Sequence, residues 1–206
     1  SRAGLAPDGA TTIAFADSRS VGELARFINV PSNNFAAEML LRKLGACYRD
    51  GGTLAAGAAV VRDTLDDFGV HPRIVDGSGL SRSNRATPRD IVRLLERMRG
   101  TDVAKPFRAS LAIAGRSGTV RARMRATAAA GRCAVKTGTL RLVSALAGYC
   151  RTVGGRDIGF ALLFNRASTY AAKAREDRIA TAIARLSGPP APAPDGASSG
   201  GTAAPG

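Results

Sequence analysis

The sequence predicts an α+β domain, and three observations carry that expectation. Residues up to Gly100 are dominated by apolar positions at helical spacing, the stretch from Cys133 to Phe164 reads as three short strands, and one further helical pattern follows them. The chain has 206 residues, 45% of them hydrophobic, which is enough to bury a core as one domain.

Taken in order, residues 1–19 read as loop with a short strand around Ile13-Ala14-Phe15. Val21, Leu24, Ala25 and Ile28 form a helical stripe that Pro31 stops. Ser32-Asn33-Asn34 offers capping chemistry for a helix from Phe35 to about Cys47, on which Cys47 reads as a buried residue. Leu54, Ala58, Val61, Leu65 and Phe68 mark another helix, ended by Gly69. Ile74-Val75 and the Gly-rich Asp76-Gly77-Ser78-Gly79 follow, and then Thr87-Pro88-Arg89-Asp90 signals a helix start, with Gly100 as its stop. A turn at Arg116-Ser117-Gly118 leads into a short, basic, helix-like stretch. Cys133–Lys136, Val143–Tyr149 and Ile158–Phe164 are the three strands, and a helix runs from about Tyr170 to Leu186. Residues 1–187 are therefore expected to form the domain. The Pro/Ala/Gly/Ser-rich residues 188–206 cannot bury apolar area and are expected to be a disordered tail.

If the first two strands form a hairpin turning at Arg141-Leu142, Cys133 and Cys150 stand directly opposite each other. Opposed Cβ atoms lie about 4.5–5.5 Å apart, close to disulfide range. A Cys133–Cys150 bridge is the expectation, with two unpaired core thiols as the alternative; a bridge would point to an oxidising, extracytoplasmic location.

Composition excludes several functions. The single histidine, His71, reads as an ordinary loop residue, so a multi-histidine metal site is ruled out and a Ser-His-Asp triad disfavoured. The cysteines lack C-x-x-C spacing, and no metal or cofactor is expected. A net charge of +14 invites a nucleic-acid reading, but the charge is scattered and aromatic interleaving is lacking, so nucleic acid is not the expected partner. No apolar run approaches the roughly 20 residues of a membrane-spanning helix. Only four of the basic residues are lysines, which makes Lys136 in a catalytic-looking context stand out.

Two motifs carry the chemistry: Ser32-Asn33-Asn34 at a helix start, and Lys136-Thr137-Gly138-Thr139 at a strand end. Each alone is common, as a cap and as a turn. Together, in this order, they resemble the serine DD-peptidases and β-lactamases, and more closely the class C low-molecular-mass penicillin-binding proteins, the D-alanyl-D-alanine carboxypeptidase/endopeptidase family. The resemblance extends through Pro31 to Leu41, through Asp76-Gly77-Ser78-Gly79-Leu80-Ser81-Arg82 with Asn84, through Ser110 to Gly115 with Gly118-Thr119, and through Ser144 to Gly148.

The resemblance implies a penicillin-recognising fold, an antiparallel sheet flanked by helices with a helical subdomain. It also implies acyl transfer on peptidoglycan stem peptides, with β-lactams as further ligands. Ser32 would relay a proton toward the leaving amine, and Asn34 would bond the substrate backbone and orient the lysine. Lys136 would place positive charge near the substrate carboxylate, which Thr137 and Thr139 would help to bind. Gly138-Thr139 would align the substrate as an added strand and provide an oxyanion donor. One element departs from the family pattern: these 206 residues contain no Ser-x-x-Lys, the motif that carries nucleophile and base. Ser78 is a poor substitute, because Asp76 breaks the Gly-x-Ser-x-Gly elbow. The expectation is the C-terminal part of such an enzyme, incomplete at its N-terminus and inactive alone. Its missing segment, or a partner chain, would cover an open sheet edge and an apolar face. A non-catalytic module binding cell-wall peptides, or a basic nucleic-acid-binding domain, are the alternatives.

Overall fold

The computed structural model describes residues 8–11, 14–15 and 17–188. Six helices and four strands follow in the order α1 (Val21–Asn29), α2 (Asn34–Tyr48), α3 (Leu54–Asp67), α4 (Pro88–Arg99), α5 (Ala104–Ala109), β1 (Ala112–Ile113), β2 (Cys133–Leu140), β3 (Val143–Arg151), β4 (Asp157–Asn165) and α6 (Thr169–Arg185). The strand expected around Ile13–Phe15 lies partly outside the described residues, and Ala14 and Phe15 are not in a strand. The tail beyond Gly188 lies outside them altogether.

Local chemistry explains the helix starts. Ser20 and Glu23 form a reciprocal capping box on α1, as Thr87 and Asp90 do on α4, where Pro88 occupies the first turn. Asn33 caps α2 by accepting from Ala36 N–H at 3.0 Å. Helices α2 and α3 cross backbone to backbone at Gly45 and Gly57, both buried. That crossing corrects one expectation: Cys47 is exposed, not buried. Two positions on from Gly45 a helix has turned by about 200°, so Cys47 faces away from α3. The helix-like stretch after Gly118 is also corrected. It is a single 3-10 turn (Gly118–Val120) followed by irregular turns to Arg132.

The strands form one antiparallel sheet in the order β1-β2-β3-β4. The register places Cys133 opposite Cys150 and Leu140 opposite Val143, with the turn at Arg141-Leu142 as expected, and the two cysteines are joined in a disulfide. Strand β2 runs on through Lys136–Leu140 rather than stopping at Lys136. Side chains alternate across a strand, so Cys133, Val135, Thr137 and Thr139 share one face while Ala134, Lys136 and Gly138 share the other. As far as Val135 the first face packs against α6, with Val135, Leu146, Ala180 and Ala184 all buried, while Thr137 is half-buried and Thr139 exposed at the end of the strand. The second meets α4 and α5 through Leu95, Leu111, Ala134 and Tyr149, whose hydroxyl donates to Leu95 O at 2.6 Å. Lys136 therefore points to the helical side.

Candidate active site

Ser32 lies in the tight connection between α1 and α2 and has a positive φ of 60°, a left-handed conformation that costs a non-glycine residue roughly 1 kcal/mol or more. The connection is held on both sides. Asn33 N–H donates to Ile28 O at 2.8 Å, and Val30 O accepts from Thr119 N–H at 3.3 Å. Gly118 must be glycine, since a Cβ there would collide with Val30 O and its φ is +55°. This clasp brings the helical turn against the sheet.

The outcome is a contact between residues 104 positions apart. Lys136 Nζ donates to Ser32 Oγ at 2.8 Å and to Thr137 O at 2.9 Å. Burial holds the lysine below its ordinary pKa. Ser32 and Lys136, two of the residues singled out from sequence, are thus brought together. Asn34 opens α2 and is exposed, and the hydrogen bonds of Lys136 go to Ser32 and Thr137 instead.

Beyond Lys136 the strand edge is open among the described residues. β1 covers only Ala134 and Val135, so Lys136–Leu140 pair with β3 alone. Gly138 faces the helical side, where a Cβ would meet Ala145 Cβ at 3.3 Å, and Thr139 is exposed. The Thr137 hydroxyl lies 2.8 Å from that of Thr119. Thr119 was not among the residues sequence reasoning picked out; it sits in a basic, turn-rich stretch without periodicity, and its only signal is the Gly118-Thr119 pair.

A second loop braces α2. Asp76 accepts from Ser78 Oγ, Gly79 N–H, Ser81 N–H and Asn84 Nδ2, all within 3.1 Å. Burial opposes its charge, but these hydrogen bonds outweigh it and hold the carboxyl below its ordinary range. Glu38 of α2 accepts from Gly77 and Ser78 N–H at 2.8 and 2.9 Å. Gly77 lets the loop approach α2, since a Cβ there would lie 2.5 Å from Ala37 O. Ser78 is thus committed to the Asp76 turn. Between this loop, α2 and the β2–β3 hairpin lies a cavity of about 880 Å³, lined by Leu41, Ile74, Arg82, Leu142 and Leu163 among others.

No helix among the described residues is long and apolar enough to cross a membrane. Comparison with known proteins identifies the family. Residues 2–186 match the model of the D-Ala-D-Ala carboxypeptidase 3 (S13) family. A D-alanyl-D-alanine carboxypeptidase of an Actinomadura species is 40% identical over 169 residues, 78% of this chain and 31% of the relative. A carboxypeptidase of Mycolicibacterium smegmatis is 33% identical, over 77% of this chain and 36% of its own length. Penicillin-binding protein 4 of Haemophilus influenzae, solved with a β-lactam, shares the fold with a TM-score of 0.68 at 24% identity, over 76% of this chain and 40% of its own. The chain thus spans about a third of the length of the curated relatives it matches. It belongs to the D-Ala-D-Ala carboxypeptidase 3 (S13) family, a family of low-molecular-mass penicillin-binding proteins.

Proposed function

We propose that this chain is the substrate-holding part of a serine-type D-alanyl-D-alanine carboxypeptidase/endopeptidase. It acts on peptidoglycan stem peptides outside the cytoplasm, is acylated by penicillins, and receives its nucleophile from a segment outside these 206 residues. The observation that carries this reading is the 2.8 Å hydrogen bond from Lys136 to Ser32, which joins the two motifs across the cleft. The disulfide supports the extracytoplasmic location.

In the reaction the nucleophile's hydroxyl gives up its proton as its oxygen bonds to the carbonyl carbon of the penultimate D-Ala, and the C–N bond to the terminal D-Ala breaks. The departing amine takes up a proton, for which Ser32 Oγ is the relay, since it already accepts from a cationic donor. Lys136 attracts the terminal carboxylate and polarises Ser32. Thr137 and Thr139 supply hydroxyl donors to that carboxylate. The unpaired edge at Gly138-Thr139 receives the peptide as an added strand, with Thr139 N–H facing the developing oxyanion, and Asn34 reaches the substrate backbone from the end of α2. Arg has no neutral form near physiological pH, so the desolvated lysine is the group that can adjust its charge here.

A fluorescent penicillin tests the reading on the protein that carries this chain together with its nucleophile. Labelling is expected there, and the Lys136→Ala variant should lose about 100- to 1000-fold in acylation rate, the scale of losing one preorganised electrostatic group. Unchanged labelling of Lys136→Ala would remove the role assigned to the lysine. Labelling of the 206-residue chain by itself would show that the nucleophile lies within it.

A further inference from the structure

We propose that Thr119 is a positioning residue that sets the preference for a free C-terminal carboxylate, acting through Thr137. This rests on the reading of the cleft just given. The starting point is the pair of hydroxyls 2.8 Å apart at the base of the open strand edge. A threonine hydroxyl has one proton to donate and two lone pairs with which to accept. If Thr137 donates to Thr119, its proton is spent and it cannot donate to a ligand. If Thr119 donates to Thr137, the Thr137 proton is free to point into the cleft. A carboxylate accepts only, so its arrival selects the second arrangement, and a chain forms from Thr119 through Thr137 to the carboxylate. A neutral amide at the same place can present an N–H and leaves the pair in the first arrangement. The two hydroxyls together therefore read the charge of the peptide's end.

The position of Thr119 is built by its surroundings. Its N–H is held by Val30 O, and the preceding Gly118 is pressed against the same carbonyl. Val120, next in sequence, is fully buried in the core under β2. Three residues further on, Arg123 enters a buried ionic cluster on α6. Its guanidinium donates to Glu176 Oε2 at 2.8 Å and to Asp177 Oδ1 at 2.7 Å, and Glu176 is completely buried. The segment is pinned at both ends, yet Thr119 itself is exposed toward the cleft. Among the described residues its hydroxyl has no other hydrogen-bond partner. A threonine at an exposed turn needs no hydroxyl to fold, so the contact with Thr137 is the feature that calls for one.

Steady-state hydrolysis by the protein carrying this chain and its nucleophile tests the proposal, using a peptide ending in D-Ala-D-Ala and the same peptide with a C-terminal amide. Thr119→Val removes the donor at nearly constant volume. It should raise KM for the free acid about three- to ten-fold, the value of the one neutral hydrogen bond that orients the Thr137 proton toward the carboxylate, and lower the acid-over-amide preference by the same factor with kcat little changed. Thr119→Ser should restore both. An unchanged preference in Thr119→Val, equal losses for acid and amide, or failure of Thr119→Ser to restore would overturn the proposal. If the unaltered protein neither cleaves the acid nor is labelled by penicillin, the reading of the cleft itself fails and takes this one with it. If it does react while Thr119→Val keeps its preference, only the role of Thr119 is lost.

Discussion

The two faces of the sheet are built on opposite principles. The face toward α6 is sealed, with small apolar residues interleaved around Val135 and Leu146 and the buried Glu176 paired with Arg123, which the half-buried Asp177 also meets. Every member of that cluster is answered: Glu176 also accepts from Ser144 Oγ at 2.7 Å, and the pull of burial on Arg123 is outweighed by its two acidic partners, which raise its pKa above the ordinary arginine value. The helical face carries a cavity of about 880 Å³ and one desolvated lysine with no acid among its hydrogen-bond partners, beside a strand edge that is open among the described residues. Charge on the first face is neutralised, whereas charge on the second is left available for a ligand. The first holds the fold and the second is where binding energy can be gained.

The largest effect that separates them is on the sealed face. Glu176→Ala should lower stability by about 3–5 kcal/mol, because it leaves the Arg123 guanidinium with Asp177 as its one acidic partner and orphans Ser144. Urea unfolding followed by circular dichroism measures it. A loss below about 1 kcal/mol would mean that the cluster is solvated, and the contrast between the faces would collapse. Lys136→Ala should show the reverse pattern, a large loss of acylation with stability kept, since removing a desolvated and unpaired charge relieves a penalty.

The disulfide comes next. It closes a loop of 17 residues between β2 and β3, and a loop of that size restrains the unfolded chain by about 3 kcal/mol. The paired variant Cys133→Ala with Cys150→Ala should lose about that amount, with intact mass and denaturation as readouts. No mass change on reduction of the unaltered protein would show that the bridge is not formed.

These contrasts also explain what was legible in sequence. The sealed face and its hairpin were, because alternation and a two-residue turn fix which residues oppose, and the Cys133–Cys150 pairing follows from counting. Thr87-Pro88 with Asp90 announced α4 because a cap is a local interaction. Helix α5 was missed because it has six residues and carries Pro106, and β1 because two residues cannot show a period. The exposure of Cys47 depends on how α2 crosses α3 at Gly45 and Gly57, which no stripe on α2 alone reveals. In the cleft, Ser32 and Lys136 were visible as motifs. Thr119 was visible only as part of the resemblance, without a role, since its place depends on the Val30 clasp and on Arg123 far across the core.

The smallest expected effect sharpens the contrast most, because stability and activity should move in opposite directions over one pH window. Lys136 titrates below its ordinary value of about 10.4 because folding desolvates it. Between the lowered value and the ordinary one, the unfolded chain binds a proton that the folded chain does not. Stability should therefore rise as pH climbs through that window. Acylation should fall over the same window if the lysine charge attracts the carboxylate and polarises Ser32 as proposed. In Lys136→Arg the side chain stays protonated throughout, so the alkaline fall should vanish from whatever rate remains. Penicillin acylation rates measured against pH, beside denaturation midpoints at the same pH values, provide both curves. An alkaline fall that persists unchanged in Lys136→Arg would assign it to another group, and the charge on the open face would no longer be what holds the ligand.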